Sequence, residues 1–133
     1  MSIPLLCIAL LAVLGIGLGF AVSMGRAKSQ TMYGYPTEPD DSLYQLIRAH
    51  GNTMEYVPLL ALMIYILSLG PVAAWVMWCM VLVTAFRYLF VAGLIFPSTM
   101  AKPNVMRFIG ALGTYLAGFG LCVALFLRAM NAG

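Results

Sequence analysis

Four long apolar stretches, separated by short polar segments, account for most of the chain. They cover about residues 3–24, 43–69, 72–94 and 105–130. Because a helix needs about 20 apolar residues to cross the hydrocarbon core of a bilayer, each stretch predicts a transmembrane helix. With three short loops, the four helices use nearly all of the 133 residues. The pattern therefore predicts an all-α integral membrane protein: a single four-helix membrane domain over residues 1–133.

Composition supports a bilayer as the solvent of this chain. Hydrophobic residues make up 63% and charged residues 8% of the sequence, whereas a soluble domain has about 25% charged residues. The net charge of +3 is small and scattered, which argues against nucleic acid as a partner. The sequence contains no cluster of metal-ligand type, so no metal site is predicted.

The cations are distributed unevenly between the two predicted sides of the membrane. The loops after the first and third stretches, with the adjoining helix ends, contain Arg26, Lys28, Arg48, Lys102 and Arg107. The opposite side has only Arg128. The positive-inside rule then predicts that both of these loops are cytoplasmic and that both termini lie on the other side.

A polar stripe interrupts the second apolar stretch. Arg48, Asn52 and Glu55 follow an i, i+4, i+7 spacing and so share one helix face. An ionisable group near the bilayer centre costs at least about 2.5–3.5 kcal/mol, so the stripe needs a physical reason. Either Glu55 forms a purely structural ion pair with Arg87 of the third helix, or the stripe lines a solvated ligand site in which Arg87 holds Glu55.

The charges of this region suit a small zwitterion with excess negative charge. Arginines such as Arg48 would bind its carboxylates, Glu55 an ammonium group and Asn52 an amide. Glutathione has these groups, but so do other peptides and amino acids.

The stripe belongs to a longer motif. The segment from Arg48 to Pro58 reads RAHGNTMEYVP, and it resembles the signature RAxxNxxEYxP in the second helix of the family of membrane-associated proteins in eicosanoid and glutathione metabolism (MAPEG). That family includes microsomal glutathione transferases, and the chain resembles those of bacterial type. The Gly70-Pro71 break, Arg87 and the Pro103-Asn104 pair before the fourth helix extend the resemblance over nearly the whole chain.

The resemblance implies a homotrimer that binds glutathione as co-substrate at cytoplasm-facing sites between subunits. The positions that match the glutathione contacts of the family are Arg26, Arg48, Asn52, Glu55 and Tyr56. Arg107 matches the catalytic arginine that stabilises the thiolate, although an anchor to lipid headgroups is the alternative role for this residue. A thiol has a pKa of about 8.5, and lowering this pKa by one unit requires about 1.4 kcal/mol of thiolate stabilisation. An arginine beside a helix N-terminus could provide it.

Two positions depart from the family pattern. Phe90 and Leu94 stand where the family often has a tyrosine or histidine three and seven residues after the arginine of the third helix. Neither side chain can donate a hydrogen bond.

Taken over the whole chain, the resemblance implies a membrane-bound glutathione transferase acting on lipophilic electrophiles, which could also be a glutathione-dependent peroxidase. The alternatives are a non-enzymatic protein of the same fold that binds a thiol or lipid, and a small transporter that uses Glu55 as a titrating group.

Overall fold

The computed structural model describes residues 1–131 and contains four long helices. They are α1 (Ile3–Ser29), α2 (Ser42–Ser68), α3 (Ala74–Ile95) and α4 (Val105–Met130). Residues 1–131 include no β-strand, so the all-α prediction is confirmed. The predicted boundaries agree closely for α2, α3 and α4. Helix α1 continues beyond residue 24 and ends only where Gln30 adopts a left-handed conformation, with φ of 56°.

Three of the helices are long and apolar enough to cross a membrane, namely α1, α3 and α4. Helix α2 has 27 residues, which corresponds to about 40 Å at 1.5 Å per residue, but the polar residues of its first half keep it below that level of apolarity. Length therefore allows α2 to span, and the fourth span stays a prediction. Large apolar side chains such as Phe20, Leu62 and Phe119 are exposed on the outside of the bundle, as expected for surfaces that contact lipid or another subunit.

Helices α2 and α3 form the centre of the bundle. They contact each other, and each also packs against both α1 and α4. Helices α1 and α4 lie at opposite corners and share no contact within the described residues. The two central helices therefore separate α1 from α4.

The loops after α1 and α3 lie together at one end of the bundle, called the loop end below. The backbone N–H of Met100 donates to the carbonyl of Pro39 at 2.8 Å, and the buried amide of Gln45 donates to the carbonyl of Pro97 at 3.0 Å. These bonds join the two loops to each other and to the start of α2. The loop end is thus a fixed framework on which side chains from three helices can converge.

Side-chain caps start both helices that leave the loop end. Asp41 accepts a hydrogen bond of 2.9 Å from the backbone N–H of Tyr44 at the start of α2. Asn104 accepts one of 3.0 Å from the backbone N–H of Arg107 at the start of α4. Such caps satisfy N–H groups that have no partner within the helix, and they fix where each helix begins.

Glycines bring α3 and α4 into close contact. A Cβ added at Gly110 would lie 2.5 Å from the backbone nitrogen of Phe90, and a Cβ at Gly93 would collide with the backbone of Arg107. Small residues allow this backbone approach in membrane helices. The contact sets the position of Arg107 relative to the end of α3.

Candidate functional site

A cavity of about 500 Å³ opens at the loop end between α2, α3 and α4. Its volume lies within the range of about 300–1,000 Å³ that is usual for small-ligand sites. Arg48 and Asn52 of α2 and Arg107 of α4 line it, and Phe90 and Leu94 of α3 form an apolar wall. The structure therefore brings together three of the predicted site residues in what we call the loop-end cavity.

Arg107 is fixed in the wall of this cavity. Its guanidinium donates to the carbonyl of Met100 at 3.0 Å and to the carbonyl of Lys102 at 3.2 Å. An arginine side chain has five N–H donors, so N–H groups remain for a ligand. The residue stands in the first turn of α4, where the helix dipole also favours negative charge. An anion in the loop-end cavity would be stabilised by the Arg107 guanidinium and by the N-terminal dipole of α4.

Arg48 is the exposed cation of the cavity. It stands one turn before Asn52 on α2 and is exposed to solvent. A side chain in this position can bind a carboxylate without first breaking an internal contact.

Arg87 lies deeper, and its side chain is only 1% exposed. Its guanidinium donates to the Asn52 side-chain oxygen at 2.8 Å and approaches the Thr53 hydroxyl at 3.4 Å. The guanidinium carbon also lies 5.0 Å from the ring centres of both Tyr56 and Phe90. Phe90, which departs from the family pattern, is thus one face of an aromatic enclosure around a buried cation.

The predicted ion pair between Arg87 and Glu55 is not formed. In the described part of the chain, Arg87 makes its side-chain hydrogen bonds to neutral groups of α2, and Glu55 is exposed. The reason is the direction of the two positions on α2: Asn52 faces α3, whereas Glu55, three residues later, faces outward. The predicted partner of Arg87 on α2 was therefore wrong: it is Asn52 and not Glu55.

Tyr56 contacts a residue that the sequence did not single out for the site. The hydroxyls of Tyr56 and Tyr115 share a hydrogen bond of 3.1 Å, and their rings meet edge to face with centres 6.1 Å apart. With Asn52 and Arg87, both tyrosines line a small internal cavity of about 40 Å³. Tyr115 could not be found from spacing, because it reaches Tyr56 only through the packing of α4 on α2.

Arg26 and Glu55 are not brought to the loop-end cavity. The Arg26 guanidinium donates to the carbonyls of Thr31 and Gly34, at 3.2 and 2.8 Å, and so fastens the loop that follows α1. Helices α1 and α4 share no contact within residues 1–131, and Arg26 does not line the loop-end cavity that Arg107 lines. The five predicted glutathione contacts and the predicted catalytic Arg107 are therefore divided between different surfaces.

The fold and the composition define a helical integral membrane protein with a cavity lined by two arginines at one end. The chain belongs to the MAPEG family, whose model matches residues 4–127. Neither a curated protein nor a solved structure shows significant similarity to it. The family that the RAHGNTMEYVP motif predicted is thus confirmed, and the match covers nearly the whole chain.

Proposed function

We propose that this protein is a membrane-bound glutathione transferase that joins the glutathione thiolate to lipophilic electrophiles. Membership of the MAPEG family supports this proposal. The observation that carries it is the convergence of Arg48, Asn52 and Arg107 on one cavity at the N-terminus of α4. Two arginines and an amide are the groups that a peptide with excess negative charge requires.

Each of these residues has a distinct role in the proposed reaction. Arg48 binds a glutathione carboxylate, and Asn52 donates from its amide nitrogen, since its oxygen is already bonded to Arg87. Arg107 and the N-terminal dipole of α4 stabilise the thiolate and so lower the pKa of the thiol. The thiolate sulfur then bonds to an electrophilic carbon. With an aryl halide, the halide leaves as an anion.

We further propose that the active form is a homotrimer. Arg26 and Glu55 do not line the loop-end cavity of their own chain, but Glu55 lies on an exposed face of α2 that continues through Leu59 and Leu62. In a symmetric assembly, this face of one copy would bring Glu55 to the loop-end cavity of the next, and the adjacent α1 would bring Arg26 there. A trimer would thereby add both residues to the glutathione contacts.

The charge distribution supports a cytoplasmic loop end with both termini on the other side. Single cysteines at Ser29 and Lys102, both exposed, should react with an impermeant maleimide from the cytoplasmic side, and a cysteine at Ser2 from the opposite side. The unsubstituted protein gives the background from the natural cysteines. Labelling of all three positions from one side would contradict this orientation.

Conjugation of glutathione to a reactive aryl halide by the purified protein tests the activity. Arg107→Ala should lose most of the turnover while glutathione still binds, because Arg48 and Asn52 remain. The control is Lys102→Ala, which removes an exposed cation of the same loop but leaves the backbone carbonyl that holds Arg107. Equal loss in both variants, or no turnover with a broad panel of electrophiles, would contradict the proposed activity.

A non-enzymatic function is the second candidate, and Phe90 and Leu94 favour it. Both line the loop-end cavity, and neither side chain can donate a hydrogen bond to a ligand. In this case glutathione or a lipid would raise the melting temperature of the protein without any turnover.

A further inference from the structure

Arg87 is a buried cation with an unused hydrogen-bond donor. Its side chain is 1% exposed, and its Nε–H has no acceptor among residues 1–131. The acceptors that its Nη2 does have, Asn52 and Thr53, are neutral, and Glu55, the only acidic residue of α2, is exposed. Buried charges in proteins are normally paired, and those at membrane depth frequently mark a functional site.

The small cavity that Arg87 lines has room for one ion. It measures about 40 Å³, whereas a single water requires about 10–15 Å³ by a comparable measure. Side chains of α2, α3 and α4 enclose it, among them Asn52, Tyr56, Arg87, Phe90, Thr114 and Tyr115. We call this space the Arg87 chamber. It is too small for a lipid or a peptide.

The polar groups of the Arg87 chamber offer donors to a ligand. The hydroxyls of Tyr56 and Tyr115 share a hydrogen bond of 3.1 Å. Because only one of the two hydroxyls donates in this bond, the O–H of the other can donate to a third group. The Thr114 hydroxyl already donates to the carbonyl of Gly110 at 2.7 Å. The Arg87 Nε–H and one tyrosine O–H are therefore free to donate, and both favour an anion.

The bonds that Arg87 already makes select a monatomic anion over a carboxylate. An arginine binds a carboxylate with two parallel N–H groups, which are either Nε with Nη2 or Nη1 with Nη2. In Arg87, Nη2 donates to Asn52 at 2.8 Å and approaches the Thr53 hydroxyl at 3.4 Å, so neither pair is available. The Nε–H is left as a single donor, which suits a spherical ion.

We propose that the Arg87 chamber binds one halide ion, which is chloride in the cell. The ion accepts hydrogen bonds from the Arg87 Nε and from the hydroxyl of Tyr56 or Tyr115. Because these residues belong to α3, α2 and α4, the ion joins three helices and neutralises the buried charge. The site requires no glutathione, so it does not rest on the proposed transferase activity.

Thermal unfolding of the whole chain in detergent tests the proposal, with sodium gluconate replaced by sodium chloride at constant ionic strength. The melting temperature of the wild type should rise by roughly 4–6 °C when chloride reaches about ten times its dissociation constant. Bromide should act like chloride. Acetate should have no effect, because Arg87 has no pair of N–H groups available for a carboxylate. A melting temperature that does not depend on chloride, or that rises equally with acetate, would overturn the proposal.

Two variants with the same added charge separate the Arg87 chamber from general effects of salt. Asn52→Asp places a carboxylate beside the Arg87 guanidinium. This carboxylate takes the role of the ion, so the rise with chloride should disappear while the protein stays folded. Ser2→Asp adds one negative charge at the start of α1 and keeps an oxygen that can cap this helix, so it should respond like the wild type. Equal responses of the two variants would show that chloride acts elsewhere.

Anomalous diffraction from crystals grown in bromide locates the ion directly. The wild type should show an anomalous peak in the Arg87 chamber, next to the Nε, and Asn52→Asp should lose this peak. Peaks confined to the protein surface, or a chamber that holds only water in the wild type, would contradict the proposed halide site.

Discussion

Arg87 of α3 donates a hydrogen bond of 2.8 Å to the side-chain oxygen of Asn52 on α2. This bond joins the two central helices and partly satisfies a buried cation. The bond also fixes the orientation of the Asn52 amide. Its oxygen accepts from Arg87, and its nitrogen is the atom that can donate to a ligand. Asn52 therefore has a structural role as well as the proposed role in binding glutathione.

The two roles of Asn52 can be separated by substitution. Asn52→Ala removes an acceptor from buried Arg87 and should lower the free energy of unfolding by about 1–3 kcal/mol. Asn52→Asp keeps an acceptor and places a negative charge beside the Arg87 guanidinium, so its stability should equal or exceed that of the wild type. Both should weaken glutathione binding, since both lose the amide donor. Thermal unfolding in detergent would contradict this account if the Asp variant were as unstable as the Ala variant.

The close packing of α3 and α4 predicts a large difference between two glycine substitutions on α4. In Gly110→Ala the new Cβ would lie 2.5 Å from the backbone nitrogen of Phe90, so the helices must separate. Such overpacking costs about 1–3 kcal/mol or more. Gly118→Ala meets no atom closer than 3.9 Å and should stabilise the helix by up to about 1 kcal/mol. Melting temperatures should shift in opposite directions, and similar shifts would argue against the observed helix contact.

The end of α2 depends on a side chain from the end of α4. Arg128 donates to the carbonyls of Ile66 at 2.7 Å and Leu67 at 3.0 Å. The Ile66 carbonyl also accepts from the backbone N–H of Leu69 at 3.2 Å, but carbonyls in the last turn of a helix lack their usual partner four residues on. Arg128→Met should therefore destabilise the protein by about 1–2 kcal/mol. Lys28→Met is the control, because Lys28 is an exposed cation at the other end of the bundle and its loss should be nearly neutral. Equal unfolding temperatures for the two variants would exclude this capping role.

The fold could be predicted from the sequence because apolar runs and proline-rich loops are local signals. The end of α1 could not be placed from Arg26 and Lys28, since charged residues do not stop a helix. It ends where Gln30 turns left-handed and its N–H bonds to the carbonyl of Arg26. The fourth span stays a prediction because the polar stripe that the sequence shows in the first half of α2 keeps this helix less apolar than the other three.

The site was predicted only in part, because its geometry depends on how the helices pack. Arg48, Asn52 and Arg107 do meet in one cavity, as expected for residues that share the loop end. Helical spacing gave Asn52 and Glu55 the same face, but a separation of three residues is enough to turn one toward α3 and the other outward. The contact between Tyr56 and Tyr115 depends on tertiary packing that one sequence does not reveal.

Calorimetric titration of glutathione tests the proposed binding site most directly. The wild-type protein should bind with measurable heat, and Arg48→Ala should bind roughly tenfold more weakly or worse, which corresponds to about 1.4 kcal/mol. Arg48 is exposed, so its loss should not affect folding. Lys102→Ala, which removes a nearby cation outside the loop-end cavity, should bind like the wild type. Absence of binding heat, or the same affinity in all three proteins, would contradict the assignment of the loop-end cavity to glutathione.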